Sequence, residues 1–323
     1  MSEPSKKLYI SMYHYTRDLY NSRYPNIKGL DIAQFRKQLE FFSQNFNVVT
    51  MEQVIDAVKR KTDLPNNALL LTFDDGYIDN YLYALPLLEE FGFQGSFFIP
   101  GKTFTTHQLL DVNKIHYIVA TADEKKLVND LNNLLNHYRG MEFDFPTNEE
   151  LFEKYAVANR FDSKEIIYVK RVLQTAIPEK VRNLISSDLF EMYVGISETK
   201  MAHELYMTED QIRTMKRHGM FIGAHGFDHL WLSDQDLDYM KKDIDKGLDA
   251  INEFIDKDCW VMNYPYGSYN DNVINYVKER GAVLGLTTEV GIADLSAGSP
   301  YTLPRFDCND FPPKSENYKA YLS

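Results

Sequence analysis

Along most of this chain, short apolar runs alternate with amphipathic stretches of helix length, and that rhythm leaves few architectures open. A short run of apolar and β-branched residues reads as a strand, and strands that alternate with helices assemble into mostly parallel sheets. Strand candidates fall at 8–13 (LYISMY), 47–50 (NVVT), 68–73 (ALLLTF), 95–99 (GSFFI), 220–224 (MFIGA), 259–264 (CWVMNY), 282–287 (AVLGLT) and 301–306 (YTLPRF). Eight such runs are about what a closed barrel requires. Helices are predicted over 32–44, 51–59, 79–91, 208–218, 234–256 and 271–280. Asp31, Thr208 and Ser233 stand where N-caps belong, and Gly92, Gly219 and Gly281 follow last turns.

The rhythm breaks once, between about 105 and 205, where charges multiply and β-branched runs vanish. Segments such as LVNDLNNLLNHY and KEIIYVKRVLQTAI carry apolar residues at helical spacing, so this region reads as an all-helical insertion. The expectation is one α/β barrel domain over 1–323 with that insertion.

With 44% apolar residues the chain can bury a core. Its 47 acidic against 35 basic residues give a formal charge of −12, which repels polyanions, so nucleic acid is excluded as a partner. No window approaches the roughly 18 apolar residues of a spanning helix, so no integral membrane segment is expected. The N-terminus lacks an export signal pattern, and only two cysteines, Cys259 and Cys308, are present, without CxxC spacing. The expected location is therefore cytoplasmic.

Four stretches could carry chemistry. In TFDDGY, Asp74 and Asp75 fall where a strand ends, the place where functional groups gather in parallel α/β folds. Adjacent carboxylates in one cavity need a cation nearby; alternatively, one caps the helix at 79–91 and the other is solvated. In FIGAHGFDHLWLS, a strand runs into His225 and His229, whose spacing lets both imidazoles converge on one ion. Gly226 stands where a thermolysin-like HExxH has its glutamate. Two histidines and a carboxylate make a common site for zinc or a similar ion, leaving one aspartate to act as base. The stretch NYPYGSYND holds a tight turn whose backbone N–H groups could face a developing oxyanion, or which is only an aromatic turn. In LYISMYHYT, His14 shares a face with Leu8, Ile10 and Met12 and by itself reads as a core histidine.

Taken in order, TFDDGY, HGFDH and YPYG resemble the motifs of the NodB-homology polysaccharide deacetylases, a carbohydrate esterase family. The resemblance runs from residue 7 to about 310, outside the insertion. It implies a deformed (β/α)7 barrel that removes acetyl groups from N-acetylated sugars with one divalent metal. Residue by residue it implies Asp75, His225 and His229 as ligands, Asp74 as the base, and the backbone N–H of Tyr266 at the oxyanion. Zinc is the expected ion, with cobalt, nickel or manganese as alternatives.

Two positions depart from the family pattern. Asn263 and Tyr264 precede Pro265 where an arginine usually orients the base; Arg305, in TLPRFDCND, is the candidate replacement, a surface ion pair being the alternative. No histidine follows His229, so the usual C-terminal general acid is missing. A circularly permuted branch, which includes poly-N-acetylglucosamine deacetylases, takes that acid from an N-terminal strand ending in a Tyr-His pair. SMYHY resembles it, which implies His14 as the acid.

The function so implied is deacetylation of a polysaccharide or of a lipid-linked or nucleotide-linked saccharide in surface-glycan biosynthesis. A silent glycan-binding barrel and an allantoinase-like hydrolase of a non-sugar amide are the rival readings. A homo-oligomer is compatible with a barrel bearing so long an insertion.

Overall fold

The computed structural model describes residues 6–140 and 143–322. The described strands are β1 (Lys7–Tyr13), β2 (Thr16–Arg17), β3 (Leu30–Asp31), β4 (Asn47–Val48), β5 (Ala68–Asp74), β6 (Gly95–Ile99), β7 (Phe221–Ala224), β8 (Trp260–Asn263), β9 (Ala282–Leu286), β10 (Ala293–Asp294) and β11 (Phe306–Asp307), of which β2, β3 and β10 lie outside the apolar runs. The leucine-rich β5 is buried along its whole length because it pairs in parallel with β1 on one edge and β6 on the other. From there the sheet runs β6, β7, β8, β9, with β10 antiparallel at the start of β1. β2 and β3 form a separate ladder too short to leave a sequence pattern.

The last expected strand, 301–306, is a correction. Only Phe306 belongs to a regular strand, β11. Pro304 has no N–H to give a ladder, so the segment makes an isolated bridge from Leu303 to Leu286 and then pairs Phe306 with Ser11 of β1. This irregular stave spans from β9 to β1 and completes a curled, parallel-dominated sheet of the deformed (β/α)7 kind.

Period-two alternation sorts the staves into two apolar layers. Leu8, Ile10, Ala68, Leu70, Phe98, Phe221, Val261, Leu284, Leu286 and Leu303 cluster together with Met51 and Val54 of the helix Met51–Lys59. Tyr9, Tyr13, Leu69, Leu71, Phe73, Phe97, Trp260 and Met262 pack instead with helix residues such as Phe35, Leu39 and Ile244. Each fully buried Leu or Phe contributes roughly 1.5–3 kcal/mol, so the alternation is strongly enforced. His14, Asp74, His225, Asn263 and Arg305 share the parity of the first set at the carboxyl ends of their staves.

Start signals mostly act as expected. Asp31 accepts from the Ala33 N–H, and Thr208 forms a capping box with Gln211, each cap worth about 1 kcal/mol. The helix expected over 234–256 is shorter, Leu237–Ala250, and its N-cap is Asp236. Ser233 sits in a 3-10 turn, where its hydroxyl bonds Asp234; beyond Ala250, Ile251 and Phe254 stay buried through turns. The helix expected over 79–91 divides into a π-helical turn, Asn80–Ala84, and an α-helix, Leu85–Phe91. Pro86 cannot donate to the preceding turn, which favours the change of winding.

The chain separates into two compact units. One holds the sheet and its helices, through Asp18, from Gly29 to His107 and from Leu205 onward. The other combines Leu19–Lys28 with Gln108–Glu204. Its helices include Asp111–Thr121, Glu124–Tyr138, Lys164–Arg171 and Glu179–Val194. Within it Leu127, Leu131 and Leu135 bury one helix face, and Asp162 pairs with Lys28 and Lys170. Among the described residues no helix is long and apolar enough to cross a membrane.

Candidate active site

Two consecutive strand residues normally point to opposite faces, yet Asp74 and Asp75 both turn toward histidines past the strand end, Asp74 toward His14 and Asp75 toward His225 and His229. Asp74 does so by parity. Asp75 does so because its backbone turns to φ 72° just past the last residue of β5. Neither caps the following helix: no side-chain cap bond is made there, and the residue preceding that π-helical turn is Asp79.

Asp75 Oδ1 lies 3.4 Å from His225 Nε2 and 3.2 Å from His229 Nε2. One ligand atom from each of the three residues falls within 4.8 Å of the others, and all three side chains are buried. His225 Nδ1 is 2.6 Å from the Asn263 carbonyl oxygen, an acceptor only. In the neutral ring that nitrogen carries the proton, which leaves Nε2 with its lone pair toward Asp75. Burial, partly opposed by Asp75, pulls His229 below the ordinary imidazole value and so favours its neutral form. Asp75 Oδ1 itself has no hydrogen-bond partner. A buried carboxylate oxygen facing two imidazole nitrogens without a donor is a donor set that fits a divalent ion.

Asp74 has the opposite surroundings. Arg305 Nη1 donates to Oδ1 and Nη2 to Oδ2, both at 2.9 Å, and the Asn263 amide donates to Oδ1 at 2.7 Å. Burial pushes the Asp74 carboxyl up, but Arg305, with lesser help from His14 and His225, holds it below the usual range. Arg305 is 1% exposed, which excludes a surface ion pair. Its Nε donates to the Thr287 carbonyl at 2.7 Å and its Nη1 to Thr72 Oγ1 at 3.1 Å, so the fork is fully engaged.

His14 reaches the same carboxylate, with Nε2 3.8 Å from Asp74 Oδ2 and a side chain 37% exposed. It is therefore a partly exposed histidine beside Asp74 and not a core residue. Tyr266 takes φ 57°, stacks on Trp231 at 4.6 Å and stands edge-on to His229 at 4.6 Å. Asp75, His229 and Tyr266 are three of the six non-glycine residues with positive φ among those described. Each such residue stores roughly 1–3 kcal/mol of strain that the surroundings must hold.

What holds the His225–His229 turn was not legible in advance. Asp243, on the helix Leu237–Ala250, accepts from the N–H groups of Phe227 and Asp228 at 3.1 and 2.8 Å. Gly226 has φ 68°, and a Cβ there would lie 2.6 Å from Asp243 Oδ2, so only glycine fits between them. The N–H groups of Gly101 and Lys102 donate to the carbonyls of Gly226 and Phe227. Asn263 is the second omission: beyond its bond to Asp74, its Oδ1 accepts from Arg305 Nη2 at 2.9 Å. In sequence it registered only as a missing arginine. The parity of β8 was the available signal that it faces inward.

A family model for polysaccharide deacetylases matches residues 61–135 and 188–285. The Bacillus subtilis protein YxkH, which carries the name of a polysaccharide deacetylase, is 19% identical over 305 residues, covering 94% of this chain and 72% of that protein. Among solved structures, the Streptococcus pyogenes deacetylase PplD in complex with acetate superposes with a TM-score of 0.59 at 17% identity, over 99% of each chain. IcaB from Ammonifex degensii does so with a TM-score of 0.56 at 17% identity, over 97% of this chain and 95% of its own.

Proposed function

The chain belongs to the polysaccharide deacetylase family, and on that premise we propose that it is a metal-dependent hydrolase that removes the acetyl group from an N-acetylated sugar. Membership itself implies hydrolysis of an amide on a carbohydrate. The finer reading rests on one observation: Asp75 Oδ1, unpartnered and buried, converges with two imidazole nitrogens beside the separately held Asp74.

Asp75, His225 and His229 are the residues that would hold the ion, zinc being the first choice for this donor set. A divalent ion there supplies acidified water, with a pKa lowered to about 7, and polarises a carbonyl. Asp74 takes the proton from the attacking water. Its own low proton affinity keeps it ionised, and Arg305 and Asn263 fix both of its oxygens, so it meets the water in one orientation. His14, half exposed and within 3.8 Å of Asp74, gives a proton to the departing amine. The Tyr266 N–H, set by its left-handed turn, faces the developing oxyanion. The substrate class proposed is an N-acetylated saccharide of a surface glycan, on a polymer, lipid or nucleotide carrier.

Acetate release from a panel of N-acetylated oligosaccharides and sugar nucleotides tests this, with and without chelator. Release that stops with chelator and returns with zinc is expected. Release indifferent to chelator, or none from any N-acetylated sugar, would refute it.

A further inference from the structure

Asp75 has two oxygens in different company. Oδ1 faces the imidazoles without a donor, whereas Oδ2 accepts the Tyr77 hydroxyl at 2.6 Å. A carboxylate only accepts, so the phenol donates. We propose that Tyr77 is a positioning residue that restricts Asp75 to one-oxygen coordination, a role that rests on Asp75, His225 and His229 holding a divalent ion. An untethered carboxylate can turn both oxygens to an ion and fill a place otherwise left to water or substrate. With Oδ2 engaged by the phenol, only Oδ1 is offered.

The phenol is placed firmly enough to impose this. Asp75 and Gly76 are both left-handed, at φ 72° and 69°, and fold the chain back so that Tyr77 returns beside Asp75. Tyr77 forms a β-bridge with Tyr206, and the Met207 N–H donates to the Gly76 carbonyl at 3.1 Å. Its ring is stacked on Tyr15 at 4.2 Å and on Tyr206 at 6.2 Å. Arg17 in turn covers the Tyr15 ring at 4.8 Å. Rotating the phenol away from Asp75 would break this column.

The test uses Tyr77→Phe in the full chain, which keeps the stacked ring and removes one hydroxyl. Zinc affinity is read by competition with a chromophoric chelator, and coordination by the visible spectrum of the cobalt-loaded protein. The expected result is zinc binding weaker by about 10-fold or more, with weaker cobalt bands as the freed carboxylate raises the coordination number. Tyr206→Phe, which keeps the ring stacked on Tyr77 and removes a hydroxyl from the same column, should match wild type. Tyr77→Phe that equals wild type in affinity and spectrum, while Asp75→Ala loses the ion, overturns the proposal and leaves the metal reading intact. Equal losses in Tyr77→Phe and Tyr206→Phe overturn it too, because packing would then be the cause. Wild type that binds no ion, and so equals Asp75→Ala, overturns the metal reading and this role with it. X-ray absorption of the zinc-loaded wild type checks the same point without a variant: a carboxylate bound through both oxygens contradicts the proposal.

Discussion

Asp74 and Asp75 are neighbours in sequence, equally buried, and opposite in how their charge is met. Both oxygens of Asp74 are engaged, by a buried guanidinium and an amide. Asp75 leaves one oxygen without a well-formed hydrogen bond, 3.4 and 3.2 Å from the His225 and His229 nitrogens. Removing a carboxylate from water costs several kcal/mol, which a bidentate arginine can offset; on the Asp75 side the offset comes from His225 and His229, which hold its carboxyl well below the usual range against burial. The difference teaches how one peptide unit serves two tasks. On the proposed function, the aspartate clamped by the arginine is the base, and the aspartate that turns an open oxygen to two imidazoles is the one that would hold the ion.

The largest effect expected from this contrast is on metal content. Asp75→Ala or His225→Ala should bring bound zinc from one equivalent to none and acetate release to background, as read by elemental analysis and a release assay. Asp74→Ala that lost the ion to the same extent would erase the distinction between the two residues. Next is Asp74→Asn, which keeps the shape but not the base: kcat should fall about 10²–10⁴-fold with zinc retained. Arg305→Met comes third and sharpens the Asp74 side. With the guanidinium gone, burial dominates and the carboxyl rises, so the acid limb of the kcat/KM profile should move to higher pH. Breaking a buried pair from one side also costs about 3–5 kcal/mol of stability, measurable by urea unfolding. A limb that stays in place would mean that Arg305 does not govern the ionisation of Asp74.

The convergence of Asp75, His225 and His229, with Asp74 beside them, was legible because each motif is local: a strand end supplies its own aspartates or histidines within a few residues. The partners were not. Arg305 and Asp74 are 231 residues apart, and Asn263 and Asp74 are 189 apart, so only the closed arrangement of staves brings them together. Arg305 could be suspected by resemblance, but the stave that carries it was read as a plain strand, since apolar alternation does not reveal that Pro304 withholds a ladder bond. Parity along β1 correctly put His14 on the inner face, whereas burial, which parity does not report, separates a core histidine from a partly exposed one. Tyr77 and Asp243 were missed for another reason: each acts through one hydrogen-bond geometry that any phenol or helical aspartate could lack.

Asp243 extends the comparison to a third buried carboxylate and carries the smallest expected effect. Two backbone N–H groups and the Lys246 charge favour its ionised form, but burial outweighs them and pushes it up to about 6. An unfolded aspartate titrates near 3.9, so between about pH 4 and 6 the folded protein binds the extra proton. Stability from this group is then fully present below about pH 4 and falls as pH rises through 6, by up to roughly 2–3 kcal/mol. Asp74 and Asp75, both depressed, change stability in the opposite direction with pH, so the wild-type curve alone mixes the signs. Asp243→Asn isolates the term, because it leaves the other two untouched and adds a pH-independent loss of about 1–3 kcal/mol from an amide N–H facing a backbone donor. The stability difference between wild type and Asp243→Asn, from urea unfolding at intervals from pH 4 to 8, should therefore shrink up to about pH 6 and then level. A difference constant across that range would show that Asp243 titrates as an ordinary surface carboxylate, and the turn bearing His225 and His229 would need another anchor.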